Sequence, residues 1–138
     1  MEQSGISTLN PADLPLSLSQ REVWLDQCAW PESTHLNIGG GGYIKGYFER
    51  ATFVAALTDL VAENEALRLV PGMHGRQMLL ATYQPVLEEI DFSACVEPES
   101  VLRDWLKESI AQPFNLGEAP PWRFALLRFG DTLTWLSI

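Results

Sequence analysis

An α/β layered unit (α+β, helices stacked on sheet) is what the sequence predicts, on three observations. Apolar residues recur at helical spacing in three stretches: after Ser17, from Glu49 to Glu65 and from Pro98 to Ile110. Short runs rich in β-branched and aromatic residues lie between and after them, set off by glycine and proline. Read in order, the elements run α-β-α-β-β-β-α-β-β, an alternation that packs helices onto a sheet.

Residues 1–13 are polar, contain Asn10-Pro11 and show no apolar period, so they read as a flexible leader, and the folded part is expected over 14–138. Ser17 or Ser19 can accept a hydrogen bond from the free amides that open a helix. Val23, Trp24, Gln27 and Cys28 then share a stripe, and Pro31 ends the helix. Leu36 to Phe48 reads as a strand interrupted by Gly39 to Gly42. Glu49 to Glu65 is an amphipathic helix with Phe53, Leu57, Leu60, Val61 and Ala66 toward the core. Leu67 to Val70 and Gln77 to Thr82 read as strands flanking Pro71 to Arg76, a loop whose two glycines can reverse the chain. Val86 to Phe92 is a further strand. Pro98, at the first helical position, opens a helix with Val101, Leu102, Trp105, Leu106 and Ile110 on one face.

The sequence closes on a hairpin, Phe124 to Phe129 and Leu133 to Ile138, turned by Gly130-Asp131. An apolar strand at that position leaves backbone groups unpaired and side chains wet, so following or partner residues are expected to cover it. Leaving Trp135, Leu136 and Ile138 exposed would forfeit ~1.5–3 kcal/mol for each large side chain.

With 138 residues, 46% of them hydrophobic, the chain has enough apolar surface for one core. No run of about 18 apolar residues is present, and the first residues lack the basic start and apolar centre of a secretion signal, so no membrane partner is expected and a cytoplasmic location is. Cys28 and Cys95 are far apart without Cys-x-x-Cys spacing, and both read as buried or half-buried thiols. Nine basic against eighteen acidic residues give a net charge of −9, which repels phosphate backbones and argues against nucleic acid.

The side chains that carry chemistry are sparse. The glycine run fits neither a dinucleotide loop nor a P-loop, because Lys45 falls at the third glycine position and precedes Gly46; a bulge or close packing is the better reading. His35 and His74 lie in loops without a Cys, His or carboxylate partner at metal spacing. Glu89 and Asp91 share a strand face that Glu88 does not, which suits a solvated face better than an acid–base pair. No catalytic residue, no metal site and no directly bound cofactor is expected in this chain.

Three segments carry a resemblance. Ser17-Leu18-Ser19-Gln20-Arg21-Glu22-Val23-Trp24 is similar to a Ser-x-Ala-Gln-x-Arg-x-Trp motif through Ser17, Gln20 and Trp24, with Ser19 for Ala and Glu22 for Arg. Asn64-Glu65-Ala66-Leu67-Arg68 is similar to Arg-His-Glu-x-Leu-Arg-Thr, with Glu63, Asn64 and Leu69 in place of Arg, His and Thr. The Pro113-Phe114-x-Leu116 turn, Pro120-x-x-Arg123 and the Gly130-Asp131 hairpin complete the set. Together they resemble the N-terminal lobe of nonribosomal peptide synthetase condensation domains, a lobe of the chloramphenicol-acetyltransferase-like fold, cut before the family's His-His-x-x-x-Asp-Gly motif.

That resemblance implies amide bond formation between two thioester-tethered substrates in the parent enzyme, with this fragment inactive alone. It also implies, as partners, the C-terminal lobe of the same domain and carrier domains bearing phosphopantetheine. Arg68 is the expected ion-pair partner of the missing motif's aspartate and Arg123 the competing one; either could instead cap carbonyls or pair with a glutamate. Arg103 and Lys107 read as a carrier-docking pair or a solvated helix face. Trp24, Phe114, Trp122 and Trp135 read as core. Met1 so near the domain start suggests an initiating module or one fed by another protein. A related acyltransferase of the same fold (cyclisation, epimerisation, or carrier- or CoA-dependent) and a non-catalytic carrier-binding module are the alternatives, and self-association through the open terminal strand is a further expectation.

Overall fold

The computed structural model describes residues 13–47, 49–131 and 133–138, without the side chain of Met73. Residues 1–12 of the expected leader, and Phe48 at the end of the expected second strand, lie outside the described residues. The elements are β1 (Asp13–Pro15), α1 (Leu18–Ala29), β2 (Gly41–Lys45), α2 (Arg50–Glu63), β3 (Leu69–Pro71), β4 (Arg76–Leu79), β5 (Leu87–Asp91), α3 (Pro98–Ile110), β6 (Phe124–Arg128) and β7 (Leu133–Ser137). Helices and strands are mixed as the sequence predicts.

Two sheets form. A three-stranded antiparallel sheet runs β1-β4-β3, with Leu14 opposite Gln77 and Val70 opposite Met78. A four-stranded sheet runs β2-β7-β6-β5, antiparallel except for the parallel β5–β6 pair. β1 has no sequence signal: three residues, one of them a proline, become a strand because β4 offers them a partner. The leader expected to reach residue 13 therefore gives way to structure at Asp13.

β7 departs most from expectation. It is an interior strand, bonded to β6 on one side and β2 on the other, and Ile138 exchanges backbone hydrogen bonds with Gly40 (N–H to O, 2.9 and 3.1 Å). The expected open strand is thus covered from within the chain, by a segment almost a hundred positions earlier. Among the described residues the sheet edges are β2 and β5, and β1 and β3.

Gly39 and Gly41 make that pairing possible. A Cβ on Gly41 would overlap the Leu136 carbonyl and lie 2.6 Å from the Trp135 indole nitrogen, and one on Gly39 would lie 2.8 Å from Ile110, whereas Gly40 and Gly42 face open space. Close packing explains half of the glycine run. It also shortens the strand expected over residues 36–48 to Gly41–Lys45.

The core sits where α3 crosses the four-stranded sheet. Leu127 is fully buried, Leu102 and Ala125 nearly so, and Ile90, Trp105, Leu106 and Trp135 pack around them. Pro98 opens α3 and Lys107 lies in its last turn, where a cation suits the helix dipole. Along α2, Leu57 and Val61 are buried, but Leu60 is 47% exposed and Ala66 is exposed in a 3-10 turn, Glu65–Arg68. The helix stops at Glu63 because Asn64 is extended. That turn takes Leu67 and Arg68 out of the expected strand, leaving β3 and β4 shorter than drawn from sequence. Val86 and Phe92 likewise fall outside β5. His74 (φ 64°) and Gly75 (φ 69°) reverse the chain between β3 and β4.

α1 buries none of its residues. Val23 is 51% exposed and Cys28 is exposed, so the expected buried thiol there is corrected; Cys95 is half-buried. Among the described residues no helix is long and apolar enough to cross a membrane.

Candidate functional site: an apolar groove beside helix α1

Polar ties hold α1. Ser17 and Gln20 close a reciprocal cap: the Gln20 N–H donates to Ser17 Oγ (3.3 Å) and the Ser17 N–H to Gln20 Oε1 (2.9 Å). The Gln20 amide also exchanges hydrogen bonds with the buried Gln77 amide (3.3 and 3.4 Å), and Gln77 donates to the Pro15 carbonyl. Gln20 thereby joins α1 to the three-stranded sheet. One turn on, a Cβ on Gly75 would lie 3.9 Å from the Trp24 ring, so the indole stands against the β3–β4 reversal.

At the other end of α1, the Gln27 amide donates to the carbonyls of Pro31 (2.8 Å) and Ser33 (3.2 Å). Asp26 Oδ2, shut off from solvent, faces His35 Nε2 at 3.0 Å, and the Ser33 hydroxyl bonds His35 Nδ1. His35 therefore has the carboxylate partner that sequence spacing did not reveal. His74 is an exposed turn residue.

The C-terminus of α3 forms another wall. Carbonyls at its end and just beyond it are collected by two side chains from other segments. Asn37 Nδ2 donates to Ile110 O (2.8 Å) and Gln112 O (2.9 Å), while the Arg123 guanidinium donates to Gln112 O (3.1 Å) and Pro113 O (2.6 Å) and lies 4.0 Å from the Phe114 ring centre. Asn37 escaped the sequence reading, since its Asn-Ile-Gly context carries no local signal for a partner in a helix far along the chain.

The second motif has a comparable structural task. Asn64 Nδ2 donates to Leu60 O (2.7 Å), and Arg68 donates from Nε to Leu80 O (3.1 Å) and from Nη1 to Val61 O (2.9 Å) and Ala62 O. Glu65 opens the 3-10 turn, and the Leu67 carbonyl accepts from Trp122 Nε1 at 2.9 Å. Both arginines thus bond backbone carbonyls, one of the alternatives open from sequence: Arg68 those of the last turn of α2, Arg123 those of Gln112 and Pro113 just beyond α3 and, at 3.5 Å, that of Ser109.

Between these walls lies a groove of about 520 Å³, within the range of small-molecule sites. Ser19, Val23 and Trp24 of α1, the residues 36–38 and the segment from Phe114 to Arg123 line it, and Ile138 reaches it from the end of β7. Trp24, Phe114 and Trp122, expected in the core, are half-buried groove residues; only Trp135 packs against the core as expected. Arg68, Arg103 and Lys107 are not among the groove residues, and the latter two are exposed on α3.

The acidic strand face is solvated. Glu89 pairs with Arg50, and Asp91 accepts from the Ser93 N–H (2.9 Å). Hydrogen bonds from the Ser93 side chain and backbone, helped by Arg128, hold the Asp91 carboxyl below its usual 3.8. Among the described residues no group of three His, Cys, Asp or Glu side chains is arranged to hold a metal ion.

Sheet order, helix placement and groove define one lobe of a chloramphenicol-acetyltransferase-like acyltransferase architecture. Residues 10–138 match the Condensation domain family, and the chain belongs to it. It is 30% identical over 130 residues to isonitrile lipopeptide synthase of Mycobacterium tuberculosis, covering 91% of this chain and 5% of that protein. It is 31% identical over 127 residues to dimodular nonribosomal peptide synthase of Bacillus subtilis, covering 87% of this chain and 5% of that protein. The solved starter condensation domain of rhizomide synthetase RzmA superposes with a TM-score of 0.80 at 28% identity, over 91% of this chain and 31% of that one. The first condensation domain of the calcium-dependent antibiotic synthetase gives 0.77 at 27%, over 91% and 32%. The chain thus spans about a third of the solved condensation domains it matches. Condensation domains of nonribosomal peptide synthetases act with phosphopantetheine-bearing carrier domains.

Proposed function

We propose that this chain is the N-terminal part of a nonribosomal peptide synthetase condensation domain working in the cytoplasm, and that it supplies one wall of the tunnel in which an amide bond forms. A donor acyl or peptidyl thioester on one carrier is attacked by the amine of an aminoacyl group on another. The C–N bond forms as the C–S bond breaks, and the proton lost by the amine ends on the released thiol. The groove's own residues bind and orient; the base or positioning histidine belongs to the His-His-x-x-x-Asp-Gly segment of the full domain. The observation that carries this reading is the family match over residues 10–138, with the first motif's Trp24 lining the groove that Ile138 reaches.

The ion pair with that segment's aspartate belongs to the same proposal. Arg123 lines the groove together with Ile138, and its Nη1 and Nη2 already bond Gln112 and Pro113. Arg68 has committed Nε and Nη1 to the end of α2 and to Leu80. Carrier docking through exposed Arg103 and Lys107 is part of the reading too, with the C-terminal lobe as the groove's other wall. Self-association has lost its premise, since β7 is paired on both sides.

A second reading, in which the acyl group arrives on coenzyme A, is favoured by one observation: a variant of the rhizomide synthetase starter domain, matched with a TM-score of 0.80, was solved in complex with C8-CoA. One experiment separates the two. The full polypeptide carrying this segment is mixed with a loaded acceptor carrier and either a donor carrier or an acyl-CoA, and the products are followed by mass spectrometry. Amide from the carrier-bound donor is expected; amide from acyl-CoA alone transfers the assignment to the second reading, and none from either overturns both.

A further inference from the structure

Four consecutive glycines, Gly39 to Gly42, lead into β2, and the residue before them, Ile38, is 96% exposed. Glycine has more backbone freedom to lose than any other residue and no side chain to anchor it, so such a run takes its course from what stands at its two ends. At one end is β7. The β6–β7 register stops at Ala125 opposite Ser137, and both backbone hydrogen bonds of Ile138 go to Gly40. At the other end is Asn37, whose amide donates to the carbonyls of Ile110 (2.8 Å) and Gln112 (2.9 Å), where α3 has no further helical N–H to offer. Gly39 packs so close to Ile110 that a Cβ would lie 2.8 Å from its side chain. Residues 37–39, the end of α3 and Ser137 and Ile138 close around a space of only about 40 Å³.

These contacts run in series. The core clamps α3 through Leu102, the end of α3 holds Asn37, Asn37 fixes where the glycine run begins, and Gly40 holds Ile138. We propose that Asn37 is a positioning residue for amide formation. By tying residues 37–40 to the end of α3 it sets where β7 ends, and with it the histidine segment that continues from β7 in the reading above, on which this inference rests. Its own side chain touches no reacting atom. A reaction between two tethered groups depends on their geometry, and a displacement of about 1 Å caused by a remote change can cost on the order of 10²-fold in rate. Loss of the Asn37 tie therefore belongs in kcat, the step the histidine segment serves, and not in the affinity for either carrier.

The test is Asn37→Asp, which keeps the size of the side chain and removes both N–H donors. The full polypeptide carrying this segment is assayed with loaded donor and acceptor carriers, at a temperature where melting curves show wild type and variant folded. A fall in kcat of about tenfold or more is expected, at unchanged KM for both carriers. Hydrogen exchange read by mass spectrometry should quicken in peptides spanning residues 38–42 and the end of β7, while the middle of α3 keeps its protection. An unchanged kcat in the folded variant overturns the inference, and so does a loss that only tracks the folded fraction or that falls on KM alone. Asn37→Ala adds no charge and takes the place of the Asp variant, under the same outcomes, if that variant does not fold. If the wild type forms no amide, the functional reading falls and the role in the reaction with it. Exchange then decides the tie on its own: faster exchange at Gly40 and Ile138 supports it, and unchanged exchange overturns it.

Discussion

The four-stranded sheet and helix α1 are drawn from similarly apolar stretches, yet they spend their side chains differently. Leu127, Ala125 and Leu126 of β6 are buried, whereas α1 buries none of its residues and leaves Leu18 and Val23 83% and 51% exposed. The sheet is held by burial. The helix is held by amide and carboxylate ties at its two ends, and its apolar flank borders a groove. Apolar surface excluded from the core is where a protein has contact area left for a ligand or another part of the assembly.

The largest expected effect lies in the sheet. Leu127→Ala removes the most buried large side chain of the α3 interface and should cost about 3 kcal/mol in urea unfolding, within the range for buried leucine truncations. The matched Val23→Ala on α1 should cost under about 0.5 kcal/mol. Equal losses would erase the distinction between the two regions.

A second effect follows from how β2 meets β7. Gly41→Ala drives a methyl group into the Leu136 carbonyl and the Trp135 indole, and should destabilise by about 2 kcal/mol. Gly42→Ala, one residue on and facing open space, should leave the melting temperature nearly unchanged. If both behaved alike, the pairing that makes β7 an interior strand would be in doubt.

These positions also show what the sequence could reveal. The α3 stripe was legible because Leu102, Trp105 and Leu106 repeat at helical spacing and meet a strand of matching apolarity. β7 was legible as a strand, but its neighbours were not: pairing with β2 is a long-range event, and glycine marks close approach without naming the partner. β1 was invisible, since Asp13-Leu14-Pro15 is a strand only by virtue of β4. The groove was not legible: Trp24, Phe114 and Trp122 read as core, and the segments that line it meet only through the fold. Ser17, Gln20 and Trp24 follow a spacing, while Asn37, and the meeting of Asp26, Ser33 and His35, depend on loops whose course local sequence does not encode. Arg68 and Arg123 were singled out as ion-pair candidates; within this chain Arg68 bonds carbonyls at the end of α2 and of Leu80, and Arg123 bonds carbonyls just beyond α3.

On the α1 side the expected effect is smaller and local. Ser17→Ala removes the acceptor of the Gln20 N–H and should cost about 1 kcal/mol. Hydrogen exchange should quicken in the first turn of α1 while the amides of β6 and β7 keep their protection. Global loss of protection would mean that α1 supports the sheet rather than resting on it.

The smallest effect lies at the sheet's own edge and shows how little one polar tie contributes at an exposed site. Hydrogen bonds from the Ser93 side chain and backbone, with Arg128, hold the Asp91 carboxyl below 3.8 in the folded chain. The unfolded chain, with the ordinary value, binds more protons just below that pH, so stability rises with pH there. The contribution is complete above about pH 4 and is lost as the pH falls through the lower folded value. Ser93→Ala keeps the backbone N–H but removes the hydroxyl, and should move the Asp91 carboxyl part of the way back toward 3.8 in an NMR titration, with a slightly flatter acid limb of stability. A wild-type value at or above 3.8 would remove the tie. Because Asp91 is fully exposed, solvent screening keeps the effect on overall stability slight.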